Sequence, residues 1–92
     1  MAQEKSPEEL QEQQMVEIEQ MKKDYLATFS TEAGKKVLNN LENVCFIHKT
    51  TFAKGDSYAM ALHEGMRFVV VHINNMMNMN IEMLKKLAGK GE

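Results

Sequence analysis

The stretch "LHEGMRFVVVHI", residues 62–73, holds the densest set of groups able to do chemistry. His63 and Glu64 open it like a zinc-hydrolase helix, H-E-x-x-H. In that motif two histidines four apart share one helix face and hold the metal, while the glutamate activates water. Here Arg67 stands in the second ligand position, and a guanidinium has no lone pair to offer zinc. His72 is no substitute, because nine residues at about 100° each place it on the far side of the helix from His63. The pattern therefore argues against a metal site. Glu64 and Arg67, three apart, can pair on one helix. Arg67 is read as a structural tie to the 46–55 loop, and Gly65 as room for another segment to approach.

Cys45 and His48 have the spacing of half a zinc site, but only His63 and His72 remain as further nitrogen donors, and the ligand set is incomplete. Cys45 sits on an apolar stripe and reads as a small buried hydrophobe. A Cys-His nucleophile pair would also need an orienting third group, and none is apparent. "TEAGKK" lacks the first glycine of a phosphate loop, and Lys36 stands where Ser or Thr should bind magnesium. It reads better as a helix start. No catalytic constellation, metal site or cofactor site is expected.

The elements that carry these residues are helical. "SPEE" starts the first: Ser6 caps, Pro7 suits the first helical position and Glu9 can complete a capping box. Met15, Ile18, Tyr25 and Phe29 form its stripe, which is thin before Met15, where Leu10 is the apolar residue. Residues 1–14 are therefore expected to be an acidic, more mobile extension of helix one. Ser30 and Thr31 stop that helix and cap the next, whose Ala33, Val37, Leu38, Leu41, Val44 and Cys45 repeat at helical spacing. Gly34 lies on that face and costs about 1 kcal/mol in helix propensity against Ala, so it reads as a packing requirement. Residues 46–55 lose the period and predict a loop with a short extended piece, pinned by Phe46 and Phe52. Asp56 caps the last helix, where apolar residues step by three and four from Ala59 to Ala88. A break near "NNMMNMN", residues 74–80, would suit the low helix propensity of Asn.

Ninety-two residues are enough for one domain, and a net charge of −2 argues against broad nucleic-acid binding. Arg67 is the only arginine, so the usual bidentate reader of phosphate and guanine is nearly absent. One cysteine allows no intrachain disulfide, and a reducing compartment is the simpler assumption. The acidic opening "MAQEKSPEEL" does not read as a signal peptide, and no segment approaches the roughly 20 apolar residues of a membrane span. The nine methionines suit irregular core gaps first and an adaptable partner surface second.

Residues 25–73 also carry an ordered set of short matches: Phe29, Thr31, Gly34, Lys35, Val37, Leu38 and Leu41, then Thr51-Phe52, Gly55-Asp56, and Glu64, Gly65 and Arg67. Together they resemble a family of small tailed-bacteriophage proteins typified by a Bordetella phage protein. Ser57 departs from the usual proline of that family. The resemblance implies a phage product of structural-gene neighbourhoods with no known active site.

These readings predict an all-α fold: one domain over residues 1–92, with three helices, or four if the last one breaks, and a long closing helix. Helices two and three should pack antiparallel around Phe29, Val37, Leu38, Leu41, Phe46, Phe52, Leu62, Met66, Val69, Val70 and Ile73. Gly34, Asp56, Glu64, Gly65 and Arg67 are the expected structural motif. Leu10, Met15, Ile18, Met76 and Met79 are the expected partner surface. The expected function is a non-enzymatic phage accessory protein that makes protein contacts in virion assembly or in the virion. The alternative is a host-takeover protein that binds and inhibits a bacterial protein, and a weaker third reading is a DNA-binding regulator. Expected partners are other phage proteins or a host protein, with self-association as a further option, and neither specific nucleic acid nor membrane. The expected location is the virion or the host cytoplasm.

Overall fold

Each helix begins where a side chain can satisfy its first free N–H groups. In the computed structural model, which describes residues 4 and 6–89, those starts give four helices and no strand among the described residues. They are α1 (Pro7–Phe29), α2 (Glu32–Val44), α3 (Ser57–Asn78) and α4 (Ile81–Gly89). Ser6 accepts from the Glu9 N–H at 3.2 Å with Pro7 at the first position, Thr31 accepts from Gly34 at 2.9 Å, Asp56 from Ala59 at 2.9 Å, and Asn80 from Met83 at 3.0 Å. The last of these restarts the chain after the break foreseen in 74–80, where Met79 turns extended (φ −60°, ψ 132°).

α1 and α2 are joined through Ser30 and Thr31 alone, so α2 turns back tightly on the end of α1. Gly34 permits this. A Cβ there would fall 2.0 Å from the Thr28 carbonyl oxygen and 2.7 Å from the Phe29 Cα. Both are backbone atoms with no rotamer to escape by. The packing requirement read from the sequence is thus a backbone-to-backbone contact.

α3 lies antiparallel to α1: Tyr25 meets His72 edge-on, and Lys22, three residues earlier, donates to the Met79 carbonyl. It is also antiparallel to α2, because Leu38 clusters with Val70 and Ile73 while Phe46 stacks on His63. The core is Leu38, Val70 and Ile73, flanked by partly buried Tyr25, Phe29, Leu41, Cys45, Ile47 and Met77. Val70 is its centre, at 1% exposure. α4 folds back on α1, where Lys85 bridges Glu19 at 3.0 Å.

Four of the expected core residues are exposed instead: Val37, Phe52, Leu62 and Val69. Leu62 and Val69 sit about 80–100° round α3 from Val70, at the edge of the stripe that a single packed face covers. Val37 stands the same way to Leu38, and Phe52 lies in the 46–55 loop with its ring turned out to solvent. Phe46 and Met66 are half-buried. Met76, expected on a partner surface, is buried. It lies in the last turn of α3, beside the Lys22 tie to Met79.

Two measurements test this packing. Gly34→Ala gains helix propensity of about 1 kcal/mol, but it forces the backbones apart at a cost of about 1–3 kcal/mol or more. The expected result is a Tm about 5 °C lower; an unchanged or higher Tm rejects the close approach. The second concerns α4. The hydrogen bond from Lys85, and then its charge, holds the Glu19 carboxyl below its usual pKa, and the same bond and charge raise Lys85. Lowered Glu19 stabilises at neutral pH and loses that effect as pH falls through its folded pKa. Raised Lys85 stabilises below its own range and loses the effect only in strong alkali. Hydrogen-exchange protection of α4, corrected for intrinsic rates, should therefore fall modestly in acid. Glu19→Gln should start lower and show no acid step.

Candidate functional site

The groups that open the zinc-like motif are engaged by the loop before α3. Phe46 ends α2 in the left-handed region (φ 64°), and the following Ile47 N–H reaches back to the Glu42 carbonyl at 3.2 Å. This is a helix-ending turn that usually takes glycine. It lays the Phe46 ring on His63, with centroids 4.0 Å apart and planes 18° apart, and the Lys49 ammonium sits 4.9 Å from the ring centroid. The Thr51 hydroxyl donates to Glu64 at 2.6 Å, and Nδ1 of His63 donates to the Thr51 carbonyl at 3.2 Å. His63 and Glu64 thus fasten the 46–55 loop to α3.

Arg67 does not. Its side chain is exposed and makes no hydrogen bond or ion pair with any described residue, so the expected tie is corrected to His63 and Glu64. The reason is the loop's approach: it comes down on the His63–Glu64 side, about a turn before Arg67. Gly65 is corrected too, since a Cβ there would meet nothing within 4 Å. Asp56 caps α3 as expected. Cys45 is half-buried against the core and His48 is exposed. Among the described residues no three His, Cys, Asp or Glu side chains gather where they could hold a metal ion.

The surface features are apolar. α1 and α3 part to leave an open groove of about 350 Å³, lined by Met21, Tyr25 and Phe29 on one side and Val69, His72 and Ile73 on the other. Asp24 and Thr28 supply its polar edge. The Thr28 hydroxyl is held by the Asp24 carbonyl at 2.8 Å, and the Asp24 carboxylate accepts from Gln20 at 3.0 Å. His72 meets Tyr25 edge-on, with centroids 5.9 Å apart.

Past the groove the face of α3 has no cover. Tyr58 is 90% exposed and Leu62 64%, with Val69 and Phe68 also exposed. α1 ends at Phe29, alongside Val69 in the groove, so the first half of α3 runs beyond it. Sequence reasoning assigned Leu62 and Val69 to the core and passed over Tyr58 and Phe68. A signal was present in "FVVV": four successive apolar residues span about 300° of a helix, more than one core can receive.

The expected partner residues are dispersed. Leu10 is exposed on the first turn of α1. Met15 and Ile18 are half-buried, on the part of α1 that α4 overlies near Glu19. Met79 is half-buried at the break, and Met76 is buried in the last turn of α3.

A family model described as Bbp19-like phage protein matches residues 25–88, which takes in the end of α1, all of α2 and α3, and nearly all of α4. That is 64 of the 92 residues, and it extends past the resemblance seen over 25–73. No curated protein and no solved structure matches the chain.

The loop fastening makes a contrast testable by thermal unfolding. Thr51→Val removes the hydroxyl that Glu64 accepts and should cost about 0.5–1.5 kcal/mol, a Tm lower by several degrees. Arg67→Ala removes no such bond and should stay within about 0.5 kcal/mol of wild type. A larger loss from Arg67→Ala would return the tie to the arginine.

Proposed function

Because the chain belongs to the Bbp19-like phage protein family, we propose that it is a non-enzymatic accessory protein of a tailed phage, joining other phage proteins during virion assembly or within the particle. The observation that carries this reading is the apolar surface left on every helix. Leu10 and Val16 on α1, Val37 and Val44 on α2, Tyr58, Leu62 and Phe68 on α3, and Met83 and Leu87 on α4 are all exposed. A chain that buries so few large side chains and shows so many suits a component that completes its packing against neighbours. The groups that resemble a catalytic motif fasten a loop, which supports a role without chemistry. No described helix is long and apolar enough to cross a membrane.

One observation favours a second reading, a host-directed inhibitor. Glu8, Glu9, Glu12 and Glu17 are exposed along the first half of α1, outside the family match. An acidic helix of this kind can face a basic surface on a host protein.

Mass spectrometry of purified virions, paired with capture by the tagged chain from infected cells, separates the two. The expected result is co-purification with phage structural proteins, in particles or in their precursors. Capture of a single host protein, with the chain absent from particles and precursors alike, would overturn the assembly reading.

A further inference from the structure

The exposed face of α3 has the spacing of a helix–helix seam. Tyr58, Leu62, Gly65, Val69, His72, Met76 and Met79 follow one another at steps of four and three, the repeat that keeps one stripe against a partner helix. Within the chain the stripe is covered only at its C-terminal end. Met76 is buried, Met79 is half-buried, and Val69 and His72 line the groove against α1. Tyr58, Leu62 and Gly65 continue the same line with nothing above them.

We propose that this free half-stripe is the seam of a two-fold dimer of this chain, with the two α3 helices antiparallel and crossing at Gly65. Three observations single out a second copy as the occupant. The first is area. A folded chain of 10.5 kDa ordinarily exposes about 5,400 Å², whereas this one exposes 7357 Å². The surplus of about 1,900 Å² is spread over all four helices; a subunit of an obligate dimer buries about 1,000–2,500 Å², so the chain has enough uncovered surface for one, and the free half-stripe of α3 is the part of it with the spacing of a seam.

The second is charge. An antiparallel two-fold crossing sets only Gly65 against itself and every other seam residue against the one equally far past it, so charges of one sign along the seam would face one another. Glu64 and Arg67 lie off the stripe by about 100° or more, and its free half is uncharged. The third is shape. Tyr58 and His72 stand seven residues either side of Gly65, about 10.5 Å each way. At a shallow antiparallel crossing Tyr58 of each copy comes over His72 of the other. There the apolar groove of about 350 Å³ opens, large enough for its ring. Leu62 then meets Phe68 and Val69. Exposed Tyr58 becomes a buried aromatic anchor, and the groove gains its occupant.

Gly65 at the axis allows an interaxial distance of about 8–10 Å, which leaves its two Cα atoms about 4–5 Å apart. That lies within disulfide reach and makes the test specific. In a Cys45→Ala background, Gly65→Cys should form a covalent dimer on mild oxidation. Tyr58→Cys should not, because antiparallel Tyr58 positions lie about 20 Å apart. Sedimentation of the wild-type chain at micromolar concentration should give twice the 10.5 kDa mass, and Leu62→Glu should give a monomer of unchanged helicity. A wild-type monomer at every concentration, or cross-linking through Tyr58→Cys in preference to Gly65→Cys, would overturn the proposal. Should Leu62→Glu unfold, the cysteine pair still decides. The test reads self-association alone, so its failure leaves the assembly role to be judged by virion content.

Discussion

The backbone contact between Gly34 and the Thr28 carbonyl sets the geometry of the whole bundle. With no side chain between them, α1 and α2 meet backbone to backbone in a V whose apex is the Ser30–Thr31 turn. Tyr25 and Phe29 lie one turn apart on one arm, and Leu38 lies one turn beyond Gly34 on the other. These side chains converge because the apex is tight, and Val70 and Ile73 of α3 seat between them. A methyl group at Gly34 would open the V and separate the surfaces that α3 bridges. Threonine at position 31 serves the same junction: its hydroxyl accepts the Gly34 N–H, so the cap and the close approach share one turn.

A V this short cannot cover the helix laid into it. α3 has 22 residues, about 33 Å of helix, and its first half runs past the end of α1. The chain answers this differently at its two ends. At the C-terminal end the break at Met79 turns α4 back on α1 and leaves Met76 enclosed. At the N-terminal end only the 46–55 loop reaches α3, on the side of His63 and Glu64. The opposite side keeps Tyr58, Leu62 and Gly65 bare. The imbalance explains how a protein with ordinary apolar content has so small a core.

The polar residues of the closing helix follow the same logic. His63 and Glu64 look like chemistry because a histidine beside a glutamate is the opening of a hydrolytic site. In the fold both face a loop whose backbone and hydroxyl need partners, and both supply them. Phe46, held at positive φ at the end of α2, pays for its strained backbone with a flat stack on His63. The loop is fastened through an aromatic stack, a charge-assisted hydrogen bond and a carbonyl contact within a few residues, a local arrangement that needs no arginine.

Much of the fold was legible in the sequence, because it rests on signals that act within a few residues. Ser6, Thr31 and Asp56 cap helices through bonds spanning three residues, Gly34 marks its own close contact, and the asparagines around Met79 mark the break, where the structure adds Asn80 as the cap of α4. Resemblance to a phage protein family was legible as well, and the family match over residues 25–88 bears it out. What the sequence left open was facing. Leu62 and Val69 carry the same helical period as Val70, and Met76 lies on the same stripe as Tyr58, so periodicity cannot rank them. Whether such a residue is core or surface depends on where α1 ends and where α4 folds back, and those are facts about other parts of the chain. Arg67 failed as a tie for the same reason: its spacing from Glu64 is local, but the loop's line of approach is decided by the turn at Phe46. The sequence by itself determined the helices, their caps and the tight joint between α1 and α2. Only the tertiary structure decided which apolar faces are covered, because burial depends on the reach of neighbouring helices and not on the period of one.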